Sequence, residues 1–312
     1  MKKSYYFVNA FIVGILALAV GCSPSRTITA SGKVTPQGKF KIGYNSAFNV
    51  ATAPLAEIDD VTKAAVNAVE NQDSIYFSDI STLSQGLLAY SLDPVGTTSE
   101  FYLRYGVAPR VDAGYKLASG AHVFDVMYQF LGSTGTPDNP GPAGLYGSIG
   151  LQYSGQKSNL PSKLGLSALS SILDYKLSRR DILIPLVFSH SFGPEEEIGN
   201  ISWGLVYGHS FITYGFSPSE LFVKYAGNRV EKLNAFTNKE NYSSFGGFLN
   251  AKVGYKYAYV VPALSIYYQN YGDYNFFGIQ SKNYKGVTIV PSLGLQFNLG
   301  YGQGGQTSRR RQ

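Results

Sequence analysis

Long windows of alternating apolar and polar residues follow one another through most of the chain after Gly38. In the last window, Leu295 and Phe297 alternate with Gln296 and Asn298. Successive side chains of a β-strand point to opposite faces of a sheet, so a period of two predicts strands with one apolar and one polar face. Because such windows recur along the chain, the sequence predicts an all-β protein with antiparallel strands.

The length of these windows indicates what the apolar faces contact. Most run for about nine to thirteen residues, whereas strands of soluble proteins average ~5–6 residues. A strand that crosses a bilayer at a tilt needs ~9–11 residues. The pattern therefore favours a transmembrane β-barrel, with Leu295 and Phe297 in lipid and Gln296 and Asn298 facing the lumen. A soluble β protein with its apolar faces turned inward is the alternative.

Two windows fit the strand pattern less well than the others. Residues 164–177 follow neither the strand nor the helix period, and Glu220–Ala226 is short. Counting both windows predicts an antiparallel barrel of about 12 strands, within a range of roughly 10–14, and an even number is expected because both ends of such barrels lie on the periplasmic side. Pro185 and Pro262 fall inside predicted strands, where each removes a ladder hydrogen bond.

The predicted organisation has a barrel over 38–300, preceded by an N-terminal linker over 22–37 and followed by a basic, disordered tail over 301–312. The segment 51–98 interrupts the alternation, because apolar residues within it recur at helix spacing. It is predicted to be a partly helical insertion between the first two strands. This insertion could plug the lumen, cap one mouth, lie against the membrane, or form a loop with two small surface helices.

The lengths of the connections predict an orientation for the barrel. Long loops belong outside the cell and short turns belong in the periplasm. Counted back from a periplasmic C-terminus, the long connections 227–243 and 271–286 are outside. The short connections 178–181, 214–219 and 256–259 are inside.

The N-terminus has the three parts of a secretory signal. Lys2 and Lys3 precede an apolar run from about Phe7 to Val20, which is too short and wrongly flanked for a membrane span. The stretch Ala19-Val20-Gly21-Cys22 resembles a bacterial lipoprotein signal, although Leu18 stands four residues before the cysteine and not three. The resemblance implies that residues 1–21 are removed and that Cys22 is acylated, for example with palmitate. An ordinary signal peptide with an unrelated cysteine is the alternative.

Composition narrows the possible partners. The formal charge is +6, but it falls to +4 without Lys2 and Lys3, and to +1 without the terminal Arg309, Arg310 and Arg311. A nearly neutral body excludes a nucleic-acid surface, which needs basic residues spread over one face. The 35 glycines, 25 tyrosines and 19 phenylalanines fit strands joined by many turns, with aromatic belts at both lipid–water interfaces.

Candidate catalytic and metal-binding residues are few. A serine hydrolase needs serine and histidine within hydrogen-bond reach, but the serines beside His190 and His209 point to the opposite strand face. The third histidine, His122, is predicted to be a solvated turn residue. One cysteine and three dispersed histidines make no zinc-type cluster. The sequence therefore predicts no catalytic residue, no metal and no cofactor. The run from Glu195 to Glu197 is predicted to be a solvated charge run in an outer loop, with attraction of divalent cations that bridge lipopolysaccharide as the alternative.

Charged residues on the polar strand faces are the candidate functional residues. They are Arg104, Asp112, Lys116, Asp125, Lys252 and Lys256. In a lumen they would set ion preference, or they would pair with one another and keep the barrel filled. Arg104 and Asp112 flank one turn with the same facing, so they are expected to pair across the hairpin.

The hairpin from Arg104-Tyr105-Gly106-Val107 to Asp112-Ala113-Gly114-Tyr115 resembles one common in bacterial outer-membrane β-barrel families, including putative transporter barrels. The resemblance covers roughly thirty residues, through Gln129. The C-terminus departs from these families, which end on an aromatic residue, because a Gly-rich tail follows Phe297. The resemblance implies an outer-membrane location, with membrane lipids and the barrel-insertion machinery as partners.

Together, the pattern and the resemblance predict an outer-membrane lipoprotein without enzymatic activity. Its expected role is a narrow pore for small solutes or a structural component of the envelope. Two alternatives are a soluble, lipid-anchored β protein that binds a ligand or partner, and a barrel lipid hydrolase.

Overall fold

The computed structural model describes residues 26–53, 77–136, 139–158, 174–217, 222–224, 229–276, 279–280 and 283–300. Within them, ten strands form one closed antiparallel barrel. Those strands are β1 (Phe40–Ala51), β2 (Gly96–Ala108), β3 (Val111–Ala118), β4 (Ala121–Leu131), β5 (Leu145–Ser158), β6 (Tyr175–Phe192), β7 (Gly199–Phe216), β10 (Phe236–Tyr255), β11 (Ala258–Gly272) and β14 (Tyr284–Leu299).

Smaller elements occupy the connections. Two short hairpins pair β8 (Phe222–Lys224) with β9 (Val230–Lys232), and β12 (Asn275–Phe276) with β13 (Ile279–Gln280). The helix α1 (Phe77–Leu92) precedes β2, and a single 3-10 turn spans Pro194–Glu196. No helix among the described residues is both long enough and apolar enough to cross a membrane.

The first and last strands close the barrel. Phe40 of β1 lies opposite Leu299 of β14, and the pairing continues along both strands to Ala51 and Thr288. On its other side β1 pairs with β2, so Phe40 also lies opposite Tyr105. Closure leaves no barrel strand with an unpaired edge, which is the condition for burying a sheet in lipid.

The barrel has ten strands and not about 12, at the lower limit of the predicted range of 10–14. The difference lies in the two weak windows. In the window Glu220–Ala226, the described residues Phe222–Lys224 pair only with β9, outside the barrel. A three-residue strand rises only about 10 Å, too little to cross an apolar band of about 25 Å. Of the window 164–177, residues 164–173 lie outside the described residues and the remainder begins β6.

The barrel carries its apolar side chains on the outside and its polar side chains on the inside. Leu205, Phe245 and Leu293 are 67%, 62% and 58% exposed, while Gln129 and Ser189 inside the barrel are both 0% exposed. Leu295 and Phe297 likewise face outward, and Gln296 and Asn298 face inward. A soluble protein would bury these apolar faces, so the structure has the arrangement of a membrane barrel.

The two ends of the barrel differ in their connections. At the short-turn end, where β1 begins and β14 ends, the connections span 109–110, 132–144, 193–198 and 256–257. At the loop-rich end they span 52–95, 119–120, 159–174, 217–235 and 273–283. The expected inner turn at 178–181 therefore lies within β6, and the expected turn at 214–219 belongs to the end of β7 and the loop after it.

A cap of apolar side chains covers the loop-rich end. Ile80, Leu88 and Leu92 of α1 pack in a buried cluster with aromatic residues of the surrounding strands and loops. The aromatic members are Tyr175, Tyr214, Phe216, Tyr242, Tyr271, Tyr274 and Tyr284. The expected helical insertion between β1 and β2 is therefore present as α1, and it caps a mouth of the barrel. The other expected helix falls at 54–76, outside the described residues.

Candidate functional site

The barrel lumen is filled by the chain's own N-terminal segment. Residues 26–37, here called the plug segment, lie inside the barrel; Ile28, Val34 and Thr35 are fully or almost fully buried. No regular secondary structure forms along most of this segment. The sequence pattern predicted an N-terminal linker over 22–37, without a place in the lumen, and the structure places the described part of it inside the barrel.

Polar side chains from several strands hold the backbone of the plug segment. The Asn250 side-chain amide of β10 donates to the carbonyl oxygens of Ile28 and Ala30 at 3.2 and 3.1 Å. On the other side, the backbone amides of Gly32, Val34 and Thr35 donate to the side chains of Ser189 (3.0 Å), Gln129 (3.2 Å) and Asp112 (2.7 Å). These bonds satisfy a buried, non-strand backbone, which would otherwise be costly.

The plug segment runs the length of the lumen. Arg26 lies towards the loop-rich end, where it pairs with Asp93 just before β2. Gln37 lies at the short-turn end, where it forms a parallel bridge with Gly106 near the end of β2. The chain then turns at Gly38, whose φ of 74° is in the left-handed region, and enters β1 in the opposite direction.

Asp93 is the centre of the polar network near the loop-rich end. Its carboxylate lies 2.5 Å from the Arg26 guanidinium and accepts hydrogen bonds from four side chains: Asn49, Gln269, Tyr271 and Thr288. Burial alone would raise the pKa of Asp93, but the charge of Arg26 and these hydrogen bonds outweigh it and hold that pKa below its ordinary value. The carboxylate therefore stays ionised and ties the plug segment to the cap.

A second buried ion pair lies close to the first. The Arg179 guanidinium donates to Asp181 at 2.6 Å, and its other nitrogens reach Ser210 and the carbonyl oxygen of Leu92. Leu92 ends α1, so Arg179 binds the last turn of the helix from the barrel wall. A cation at a helix C-terminus is favourable because the carbonyl groups there carry partial negative charge.

Two glutamates fill the lumen at the short-turn end. Glu195 pairs with Lys33 of the plug segment, and Glu196 pairs with Lys252 of β10. Both glutamates are almost fully buried, so the expectation of a solvated outer loop at 195–197 is wrong for these two residues. Their backbones have φ of 55° and 61°, an unfavourable left-handed conformation that accompanies the inward turn of this loop.

Acid is expected to weaken these two ion pairs. Burial would raise the pKa of Glu195 and of Glu196, but lysine partners outweigh it and hold both below the ordinary value of ~4.3. A lowered folded-state pKa stabilises the fold at neutral pH, and this contribution disappears as pH falls through the folded pKa. In thermal unfolding in detergent, the unfolding temperature should therefore change little down to about pH 4 through these two pairs, and should fall increasingly below that pH.

The matched variant in this titration is Glu195→Gln/Glu196→Gln. It should be less stable than the wild type at pH 7 and should lose less stability on acidification, because its two glutamines cannot titrate. Parallel curves for the two proteins from pH 7 to pH 3 would contradict the assignment.

Arg104 joins two carboxylates of the barrel wall. The expected pair with Asp112 forms at 2.5 Å, and a second carboxylate, Asp125, also pairs with the same guanidinium. Asp112 also accepts a hydrogen bond from the Thr35 backbone amide, so this cluster also holds the plug segment. The cluster therefore pairs a buried guanidinium with two carboxylates and binds the backbone of the plug segment. Such an arrangement fills the lumen and does not line an open pore.

The other predicted charges are divided between lumen and rim. Lys116 donates to Gln152 at 3.1 Å, and Lys252 pairs with Glu196 at 2.5 Å, both inside the barrel. Lys256 does not share this position. It lies in the tight turn after β10, partly exposed, where it pairs with Glu197 at 3.3 Å. Five of the six candidates therefore lie together within the barrel, and Lys256 lies at its short-turn rim.

Two cavities adjoin the plug segment. The one beside Lys41, Arg104, Lys116 and Asn200 has a volume of about 50 Å³. About 10–15 Å³ of such space is enough for one water molecule, so this cavity has room for a few waters only. The other has a volume of about 210 Å³ and lies at the short-turn end, between the plug segment and Pro109, Arg110, Gln129 and Thr134.

One histidine, His209, does have a serine within hydrogen-bond reach. His209 and Ser243 lie opposite each other on β7 and β10, and the His209 Nδ1 atom is 3.0 Å from the Ser243 hydroxyl. The sequence argument considered only serines adjacent in the chain and missed this cross-strand pair. Tyr207 also contacts the Ser243 hydroxyl, at 3.1 Å. Among the described contacts of His209 there is no carboxylate or amide to orient the imidazole, as a serine hydrolase requires.

Within the described ranges, no group of three or more metal-ligating side chains could hold an ion. Cys22 lies outside the described residues, as does the tail 301–312. Neither the predicted acylation nor the predicted disorder of the tail is therefore addressed by the structure.

No family model and no curated protein matches the chain. Solved structures that resemble it include Ail, the attachment invasion locus protein of Yersinia pestis, at 9% identity and a TM-score of 0.31 over 85% of this chain and 99% of that one. The Neisserial surface protein NspA has 7% identity and a TM-score of 0.32, over 83% of this chain and 96% of that one. The translocator domain of the autotransporter NalP from Neisseria meningitidis has 8% identity and a TM-score of 0.33, over 95% of this chain and 97% of that one. Likenesses this remote transfer no function to the chain.

Proposed function

We propose that the protein is an outer-membrane β-barrel lipoprotein, anchored through Cys22, whose lumen its own plug segment closes. Solutes could pass only when that segment is displaced, so the protein is a normally closed, narrow pore. The observation that carries this proposal is the course of residues 26–37 along the lumen. Their hydrogen bonds and ion pairs with the wall can exchange with water when the segment leaves. Ile28 and Val34 also pack in an apolar cluster with the wall residues Met127, Leu183, Val187, Val206, Phe248 and Tyr267, so displacement of the segment carries a cost.

The exterior supports the membrane location. Large apolar side chains cover the outside of the barrel strands, and only closed barrels and helices satisfy their backbone groups in lipid. Three of the four connections at one end have two to six residues, whereas four of the five at the other have eleven or more, as in barrels with short periplasmic turns and long external loops. On this orientation the cap and α1 face outward from the cell, while Glu195 and Glu196 lie towards the periplasm.

A structural envelope component is the second candidate function. The pairing of the interior charges favours it, because Asp93, Asp112, Asp125, Glu195 and Glu196 each contact a cation. An interior whose carboxylates are paired with cations stabilises a closed barrel and needs no transported solute. Whether the lumen conducts after removal of the plug segment separates the two candidates.

The membrane anchor is tested by replacing Cys22 with Ser. Metabolic labelling with a palmitate analogue should mark the wild type and leave the variant unmarked, because the serine hydroxyl does not replace the thiol in this modification. Both proteins should migrate faster on a detergent gel before boiling than after it, as closed barrels do. Label retained in the Ser variant would contradict the lipoprotein, and migration unaffected by boiling would contradict the membrane barrel.

A further inference from the structure

Basic side chains cluster on the outer surface at the loop-rich end of the barrel. Lys157 of β5, Lys176 and Arg180 of β6, and Lys239 of β10 are all exposed. We call these four residues the basic patch. They lie outside the lumen and take no part in holding the plug segment.

Strand register places three of the four patch residues, Lys157, Arg180 and Lys239, in two adjacent rows across the sheet. In the upper row, Lys157 lies opposite Ser178, then comes Thr213 of β7, then Lys239. In the row below, Arg180 lies opposite Phe211, and Phe211 lies opposite Asn241. Adjacent strands are ~4.8 Å apart, so the long side chains of Arg180 and Lys239 can reach a shared ligand from opposite sides of β7.

A groove on this surface is lined by two of the patch residues, Arg180 and Lys239. It has a volume of about 540 Å³ and is lined by Arg180, Lys239, Tyr153, Phe211, Thr213 and Asn241, among others. One carboxylate, Glu240, also lines it. No carboxylate forms an ion pair with Arg180 or Lys239 within the described part of the chain, whereas Lys176 pairs with Asp174 at 2.8 Å. The groove therefore combines two available cations with hydroxyl and amide groups.

The chemistry of the surface changes with depth below the groove. Beneath Arg180 and Phe211, the next row contains Tyr153, Ile182 and His209. Nearer the middle of the barrel the exposed residues are apolar, as at Leu205 and Phe245. This order of basic, aromatic and aliphatic side chains matches the order of headgroup, interface and acyl chains in one leaflet.

The patch is also confined to one side of the barrel. At the same end, β1, β2, β11 and β14 present one outward-facing cation among their described residues, Lys285 at the start of β14. A general preference for basic residues at the membrane surface would distribute them around the rim. The concentration on β5, β6 and β10 indicates a site for a particular ligand.

We propose that this groove binds the phosphate-bearing headgroup of an outer-leaflet glycolipid, with its acyl chains along the aromatic and apolar rows below. Arg180 and Lys239 bind the phosphate, and the hydroxyl of Thr213 and the amide of Asn241 bind the sugar. Guanidinium and ammonium groups form charge-assisted hydrogen bonds with phosphate, which are stronger than neutral ones. The assignment rests on the proposed orientation, in which the loop-rich end lies in the outer leaflet.

The test uses the full-length protein in neutral detergent, with bound lipid counted by native mass spectrometry. The probes are bis-phosphorylated lipid A, the same lipid without phosphates, phosphatidylcholine, and inorganic phosphate. The wild type should retain the phosphorylated lipid, and Arg180→Gln/Lys239→Gln should weaken its binding about tenfold or more, since each cation contributes a charge-assisted contact. Lys239→Gln alone should weaken it less.

The matched control is Lys285→Gln, which removes an outward-facing cation at the same end of the barrel and should leave binding unchanged. Equal retention by wild type and double variant, or equal binding of the dephosphorylated lipid, would overturn the proposal. Retention of inorganic phosphate in place of the lipid would overturn it as well, because the site would then recognise a free anion. Heat-modifiable migration of all variants and the Cys22 label report on the proposed function separately.

Discussion

Deletion of residues 26–35 is expected to open the lumen and turn a closed barrel into a conducting one. The plug segment adjoins cavities of about 50 and 210 Å³, which its departure would enlarge. It would expose polar wall residues together with the apolar cluster that now packs on Ile28 and Val34. The inward-facing Asn250, Gln129 and Asp112, which now bind its backbone, would then bind water. In planar bilayers, wild type should stay at the leak level while the deletion variant shows resolved conductance steps.

Two further variants of the protein test whether loss of the plug segment causes the conductance. A Gly/Ser segment of equal length at 26–35 retains the chain but loses Arg26 and Lys33, so it should conduct intermittently. Lys285→Ala, which removes an exposed outward-facing charge, should remain closed. Leak-level current in a deletion variant that still shows heat-modifiable migration would exclude the pore and favour the structural role.

Single substitutions in the plug segment should show how firmly it is held. Arg26 and Asp93 are both almost fully buried, and removal of one member of a buried ion pair typically costs about 3–5 kcal/mol. Asp93 keeps hydrogen bonds from Asn49, Gln269, Tyr271 and Thr288, which should place Arg26→Ala near the lower end of that range. The plug segment is therefore held strongly enough to remain in place without a trigger.

The barrel wall was predictable because its physics is local. Alternation of Leu295 and Phe297 with Gln296 and Asn298 assigns each side chain to a face, and the structure has all four as expected. The Arg104–Asp112 pair was equally accessible, since both residues flank one short hairpin. Strand number was less secure, because Glu220–Ala226 has a strand-like composition but is too short to span the barrel.

The plug segment was not predictable, because its contacts are distant in the chain. The Arg26 guanidinium pairs with Asp93 and donates to the Tyr242 hydroxyl, and the Arg26 carbonyl oxygen accepts a hydrogen bond from Tyr267. Nothing in the alternation of residues 26–37 indicates these partners. Glu195 and Glu196 were misread for a related reason. Consecutive glutamates in a loop are usually solvated, but inside the barrel Lys33 pairs with Glu195 and Lys252 pairs with Glu196, which makes their burial favourable.

The sequence did contain one indirect sign that acidic residues from outside the strands lie inside the barrel. The predicted lumen held four cations, Arg104, Lys116, Lys252 and Lys256, against two carboxylates, Asp112 and Asp125. Buried charges are normally paired, so this excess of cations called for further acids inside the barrel. Asp93, Glu195 and Glu196 supply them, and a count of interior charge would have pointed to acids outside the strands.

Substitution of Leu293 by Arg is expected to destabilise the protein in lipid by about 2–4 kcal/mol. Leu293 lies near the middle of β14, faces outward and is 58% exposed. An arginine there would place a charge close to the bilayer midplane, where neither water nor an acidic partner is at hand. The measurement is the free energy of unfolding by guanidinium in phospholipid vesicles, compared between wild type and variant.

The control for this substitution is Leu299→Arg, on the same strand and face but at the short-turn end. Near the interface the same change should cost only about 0–1 kcal/mol, because the side chain can extend to the headgroups and water. The two variants together also decide between the membrane barrel and a soluble, lipid-anchored protein. On a soluble surface both exposed leucines would accept arginine within about 0.5 kcal/mol, so equal and small effects at 293 and 299 would contradict the membrane barrel, whereas a cost confined to 293 requires lipid around the middle of the strand.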